Sequence, residues 1–169
     1  MARPDLSATP PFYHNYIKQV PEDDLMEAFK KESGVFIDFL ESIPADKHGY
    51  RYAAGKWSLR EVLQHITDTE RIFCYRALRF ARKDATPLQG FDENLYAETA
   101  NAERRDWQVL FDEFKTVRKA SEYLFASFDD QQLNARGTSS NKEIGVLALG
   151  FIIVGHTLHH KKIIEERYL

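Results

Sequence analysis

The run IGVLALGFIIVGHTLHHKKII, Ile144 to Ile164, is the longest apolar stretch of the chain and holds three of its six histidines. It contains no proline, and its apolar residues recur at helical spacing. At about 100° per residue, His156 and His160 stand roughly 40° apart on one helical face. Leu149, Ile152, Ile153 and Ile163 share that face. His159 stands about 100° from His160, toward the edge of the stripe. Imidazoles at i and i+4 converge on one ion from a single helix. The same spacing occurs in surface pairs and in hydrogen-bonded core pairs, so the apolar company matters. Two buried imidazoles leave nitrogens that need partners, at about 1–3 kcal/mol for each unpaired group. One shared ion satisfies both. A metal site then needs at least one more ligand from elsewhere in the chain.

The flanking sequence predicts three further helices. Residues 1–21 carry Pro4, Pro10, Pro11 and Pro21 and read as an extended arm, with Phe12, Tyr13 and Tyr16 draped over the fold. The first bundle helix follows Pro21, with Glu22, Asp23 and Asp24 at its positive end. Its stripe runs from Leu25 through Phe29, Phe36, Phe39 and Leu40, and Pro44 stops it. The second starts at Ser58, where Ser58 and Glu61 form an S-x-x-E capping box and Trp57 can staple onto Val62. Its stripe reaches about Arg82. Residues 84–104 form the longest connection, with a short helix around Asn94 to Ala100. That length suits a crossover along the bundle or a cover over a cavity mouth. The third helix spans roughly Arg105 to Phe128, with Val117, Ala120 and Leu124 among its inward residues. Gly137 to Asn141 reads as loop. The last helix begins either at Ser140, with Glu143 completing a capping box, or at Gly145. No alternating run is long enough for a sheet. The sequence therefore predicts one all-α domain over residues 1–169, a four-helix bundle.

Bulk composition narrows the function. Of 169 residues, 43% are hydrophobic and the formal net charge is −3. That balance argues against nonspecific nucleic-acid binding, which rests on cationic contacts to phosphate. Arg71, Arg76, Arg79, Arg82 and Lys83 form the densest basic run, but they spread around the helix and read as a solvated face. Cys74 is the only cysteine, so an intrachain disulfide and a thiolate cluster are excluded and a reducing, cytoplasmic setting is expected. Met1 to Pro11 lacks a signal-peptide core, and the apolar run before His156 is too short to cross a bilayer.

His65 is the sole histidine on the second helix and the natural third ligand for His156 and His160; His159 is a rim group or a replacement for His160. Three histidines leave one coordination position open, whereas a closed structural site takes four protein ligands. Neutral imidazoles suit zinc, nickel, copper or iron(II). Asp68, one turn from His65, can accept an imidazole N–H, serve as a fourth ligand or base, or simply pair with Arg71. Glu61 and Glu70 read as cap and surface charge. His14 and His48 fall in loops, and Cys74 reads as a buried, inert thiol.

Two stretches resemble a known family. Trp57-Ser58-Leu59-Arg60-Glu61-Val62-Leu63-Gln64-His65-Ile66, followed by Asp68-Thr69-Glu70-Arg71, is similar to the second-helix signature of the DinB/YfiT-like superfamily. Gly155-His156, His159-His160 and the ending Glu166-Arg167-Tyr168-Leu169 resemble its last helix, and Thr86-Pro87-Leu88 with Gly90-Phe91-Asp92 its crossover. The resemblance implies up-down-down-up connectivity and a divalent metal, nickel or zinc, held by His65, His156 and His160. It also implies homodimers and, in branches with known activity, transfers or isomerisations that use low-molecular-weight thiols.

Two classes of function follow. One is a metal-dependent enzyme, an S-transferase or a hydrolase acting on a small-molecule substrate, with Asp92, Glu93 and Tyr96 as candidates at the substrate mouth. The other is a non-catalytic, metal-stabilised bundle serving as a stress-related binding module. The fourth coordination position discriminates them, because an enzyme needs a cavity above the ion.

Overall fold

Helix-starting residues mark out the chain. In the computed structural model, which describes residues 3–169, the helices are α1 (His14–Gln19), α2 (Leu25–Ser42), α3 (Leu59–Ala81), α4 (Glu93–Thr99), α5 (Trp107–Ala126), α6 (Asp130–Leu133) and α7 (Val146–Arg167). A hairpin of β1 (Arg136–Ser139) and β2 (Lys142–Gly145) precedes α7. Asp24 caps α2 by accepting from the Met26 and Glu27 amides, and Asp106 caps α5 through Gln108. Ser58 and Glu61 form the expected reciprocal box at α3. Asp129 and Gln132 form a second box that opens α6. Each such cap satisfies amides that have no partner within the helix.

α2, α3, α5 and α7 form the bundle, with α3 and α2 each packed against both α5 and α7. α7 is the central rod. From Val146 to Thr157 every residue except Leu147 is buried, so the stripe expected from the sequence gives way to burial on all sides. α1 covers one of those sides. A Cβ at Gly155 would stand 2.0 Å from the Tyr16 carbonyl oxygen. Glycine there is what lets the arm lie against α7.

The expectation of an extended arm fails between His14 and Gln19. Pro11 opens a 3₁₀ turn at its first position, and the proline-free segment after it continues as α1. The expectation of no sheet also fails. β1 and β2 pair antiparallel, with Arg136 opposite Gly145 and Ser139 opposite Lys142. Ser140 and Asn141 make the turn at φ values of 50° and 61°, the left-handed pair that a two-residue hairpin loop requires. Strands of four residues are too short to show alternation in sequence. The hairpin fixes the start of α7 at Val146, with Gly145 as cap. It also anchors the crossover, because Leu88 N–H donates to Thr138 O and Ser140 N–H to Leu88 O.

Two apolar clusters, one around Phe29, Phe73, Phe125 and Phe151 and the other around Phe36, Leu63, Phe114 and Ile164, are separated by a buried polar layer. Arg118, 1% exposed, shares its one Nε–H between Glu70 Oε1 and Oε2 (2.9 and 3.1 Å), and its Nη2 donates to Glu70 Oε2 at 2.8 Å. It also donates to Thr157 Oγ1 at 2.7 Å and to Ser33 Oγ at 3.3 Å. All four bundle helices meet on this one guanidinium. Glu70 is thus a core residue and not the surface charge expected from sequence. Ala120 is exposed where the stripe placed it inward, because Phe114, Arg118, Ser121 and Phe125 make the buried face of α5.

Removing one member of this pair leaves a buried charge alone. Arg118→Met and Glu70→Leu should each lower stability by about 3–5 kcal/mol, and the double variant should recover much of the loss. Urea denaturation of the three proteins checks this; single variants within about 1 kcal/mol of the parent would show that the pair is not desolvated.

Candidate metal centre

The α3 capping box places His65 two turns into its helix, and Trp57, just before the cap, lays its ring 4.8 Å from the His65 ring centroid. His156 and His160 stand one turn apart on α7. Tyr16 from α1 meets the His156 and His159 rings edge-on, at centroid distances of 5.5 and 5.2 Å. Aromatic rings from two segments, the residue before α3 and α1, thus limit where the imidazoles can point.

The three rings converge. His65 Nε2 lies 3.1 Å from His156 Nε2, and His160 Nε2 lies 3.0 Å from the same atom. One ligand atom from each residue falls within 4.8 Å of the others, and among the described residues no cysteine, aspartate or glutamate joins the group. Metal–nitrogen bonds of about 2.1 Å set ligand nitrogens roughly 3 to 3.4 Å apart. The donor chemistry points the same way. A neutral imidazole nitrogen has either one lone pair or one proton, so His156 Nε2 cannot make good hydrogen bonds to both neighbours. A cation accepts all three lone pairs. The cluster fits a divalent-metal site.

Electrostatics keep the lone pairs available. Burial, with a small contribution from His159, pushes the His65 pKa down from 6.5 to about 4. Burial also holds His156 and His160 well below the ordinary histidine range, reinforced by the neighbouring imidazoles. Cationic imidazoles cannot bind a metal, so neutrality at pH 7 is what the chemistry needs.

A cavity of about 600 Å³ opens beside the cluster, with His65, His156, His159 and His160 in one wall. The arm supplies Tyr13 and Tyr16, the crossover supplies Phe91 and Glu93, and the hairpin supplies Ser139 and Lys142. Glu93 lines the mouth, Asp92 instead caps α4, and Tyr96 packs on Phe91 at 5.2 Å. Asp68 accepts from Gln64 at 2.9 Å and from Arg71 at 3.3 Å, and makes no hydrogen bond to an imidazole among the described residues. His14 bonds the Thr9 carbonyl, and His48 stacks on Trp107 at 4.1 Å, both outside the cluster. Cys74 donates to Ser121, and burial pushes its thiol up to about 12, far from a reactive thiolate.

The sequence gives Thr69 no role of its own and places Arg76 on a solvated face, yet Arg76 is 2% exposed and both residues line the same cavity from α3. Their signal is positional: Thr69 is four residues and Arg76 eleven residues beyond His65, on one helical face. Tyr16 had no such signal, because its helix was not foreseen.

The profile of the DinB superfamily matches residues 28–164, a span that includes His65, His156 and His160. The chain belongs to the DinB superfamily. Among solved structures, this DinB-superfamily chain is similar to YfiT from Bacillus subtilis, described as a probable metal-dependent hydrolase with an unusual four-helix bundle topology. The TM-score is 0.72 at 18% identity, over 97% of this chain and 90% of that one. At that identity the likeness establishes the fold. No curated protein matches the chain significantly. No helix among the described residues is long and apolar enough to cross a membrane.

Buried neutral histidines give this DinB-superfamily bundle an acid-side weakness. His65 protonates near 6.5 when unfolded and only at about 4 when folded. Between those values the unfolded chain binds more protons, so stability is fully present above about pH 6.5 and falls as the pH drops toward 4. Urea midpoints of chelator-treated protein at pH 7.5 and 5 should fall more for the parent than for His65→Asn. Equal losses would contradict the buried, neutral state.

Proposed function

We propose that the protein is a metal-dependent enzyme acting on a small-molecule substrate, with nickel or zinc held by His65, His156 and His160. The observation that carries this is three neutral nitrogens, on buried or half-buried rings, converging on a cavity wall with no fourth protein ligand among the described residues. A structural zinc site is closed by four protein ligands; a catalytic one keeps a position open. A divalent ion held there supplies Lewis acidity, which brings the pKa of a small nucleophile toward neutral.

The chain's own residues supply the rest. Tyr16 and Trp57 fix the imidazole rings and keep water from their outer faces. His159 sits half-buried on the same wall, and burial together with Lys162 lowers its pKa, so it is neutral at pH 7 and able to accept a proton. The nucleophile is water for hydrolysis or a low-molecular-weight thiol for S-transfer. The description of YfiT supports the first, and the helix signatures noted in the sequence support the second. A cavity of about 600 Å³ has room for a substrate beside either nucleophile.

The up-down-down-up connectivity belongs to the same reading. It is supported by contacts that ascend together along α3 and α5, namely Glu70 with Arg118 and Cys74 with Ser121, with Gln64 meeting Arg105 just before α5 begins. Leu25 beside Gly150 and Phe39 beside Lys161 ascend along α2 and α7. Phe29 with Phe125 and Phe36 with Phe114 run in opposite order along α2 and α5.

Nickel- or zinc-loaded protein should turn over activated esters, or alkylating electrophiles in the presence of glutathione-like thiols, and should lose that activity to a chelator. His159→Gln should keep its metal and lose about 100-fold in kcat, the usual worth of a positioned base. A His159→Gln enzyme of full activity would remove the proposed base.

A further inference from the structure

Arg76 is a cation without an anion. It is 2% exposed, yet it takes part in no ion pair among the described residues. Arg118 is buried to the same degree and is neutralised by Glu70. Among the described residues Arg76 donates only to neutral groups, the Gln89 carbonyl at 3.0 Å and Ser140 Oγ at 3.4 Å, with the Tyr13 hydroxyl also in reach. Its guanidinium lies over the Phe73 and Phe91 rings, 5.5 and 5.9 Å from their centroids. Burial lowers its hold on its proton, as expected for a charge that is desolvated and not compensated. Folds rarely retain a buried charge without a counter-charge, because the desolvation is not repaid. The face it lines is the cavity beside the three imidazoles.

The placement on α3 sets a distance. His65, Thr69, Phe73 and Arg76 follow one another along one wall, and eleven residues of helix separate the Cα atoms of the first and last by roughly 16 Å. The two long side chains take up part of that span. Between them Thr69 offers a buried Oγ1 that has no hydrogen-bond partner among the described residues. Tyr13, Tyr16, Phe73 and Phe91 make the intervening wall aromatic. The acidic residue on the lining, Glu93, is exposed at the mouth.

We propose that the cavity takes a small amphipathic carboxylic acid, its reacting head at the three histidines, its apolar body along the aromatic wall and its carboxylate on Arg76. A single planar guanidinium matches a carboxylate in fork geometry. A phosphate dianion would call for a second buried cation, and the other cation on the lining, Lys142, is exposed. This deepens the proposed function and rests on its reading of the cavity as the substrate site.

The test uses suberic acid monohydroxamate and its methyl ester, which share a metal-seeking head and differ in the charge at the tail. Binding to the full chain is measured by calorimetry, with and without nickel or zinc. The acid should bind at least about tenfold more tightly than the ester, as a desolvated, charge-assisted pair predicts. That ratio should fall to within about twofold in Arg76→Met and survive in part in Arg76→Lys. If Arg76→Met does not fold, the acid-to-ester ratio on the parent and on Arg76→Lys decides. Equal affinities for acid and ester on the parent, or no binding of the acid, overturn the inference. Should the preference for the acid persist while metal adds nothing to either probe, the carboxylate site stands and the metal reading of the histidines fails.

Discussion

Register between α3 and α7 is the constraint on which everything else depends. Three nitrogens that must meet within bonding distance of one point tolerate no slip of one helix past the other, and a single turn is about 5.4 Å. The Arg118 layer supplies that register. Glu70 lies five residues beyond His65 on α3, and Thr157 follows His156 directly on α7; one guanidinium holds both, and also Ser33 of α2. Apolar clusters above and below can slide with modest loss, whereas a buried ion pair displaced by one turn would leave both charges unmatched. The pair therefore contributes less to net stability than to having one arrangement of the bundle.

Around that fixed frame the chain builds a cavity from pieces that are not part of the bundle. The arm lies on α7 because Gly155 has no side chain to meet Tyr16. The crossover is held beside the hairpin by Leu88, which brings Phe91 and Glu93 to the mouth. The hairpin in turn closes the far end and starts α7. Short peripheral elements on a rigid scaffold are where binding specificity commonly resides. Here they decide what can approach the imidazoles, while the bundle decides where the imidazoles are.

Much of this was legible in the sequence for local reasons. The box at Ser58 and Glu61 satisfies amides within its own turn, so its pattern needs no tertiary context. The i,i+4 histidines in an apolar run carry their own signal as well. What stayed hidden depends on partners distant in sequence. Glu70, Arg76 and Arg118 look like surface charges because hydropathy reports on the side chain alone, and only the packed neighbours reveal that each is buried. α7 looks one-sided in sequence because nothing in its own composition announces that α1 covers its outer face. The hairpin leaves no pattern in the sequence because its strands of four residues are defined by the left-handed turn at Ser140 and Asn141, a conformation common to many loops.

Metal content of protein purified without an affinity tag tests the central claim most directly. Elemental analysis should find about one nickel or zinc ion per chain, the stoichiometry of a single three-histidine site. Folded His65→Ala and His156→Ala variants should hold little. Unchanged metal in those variants, or a parent that binds none when nickel or zinc is supplied at neutral pH, would contradict the account.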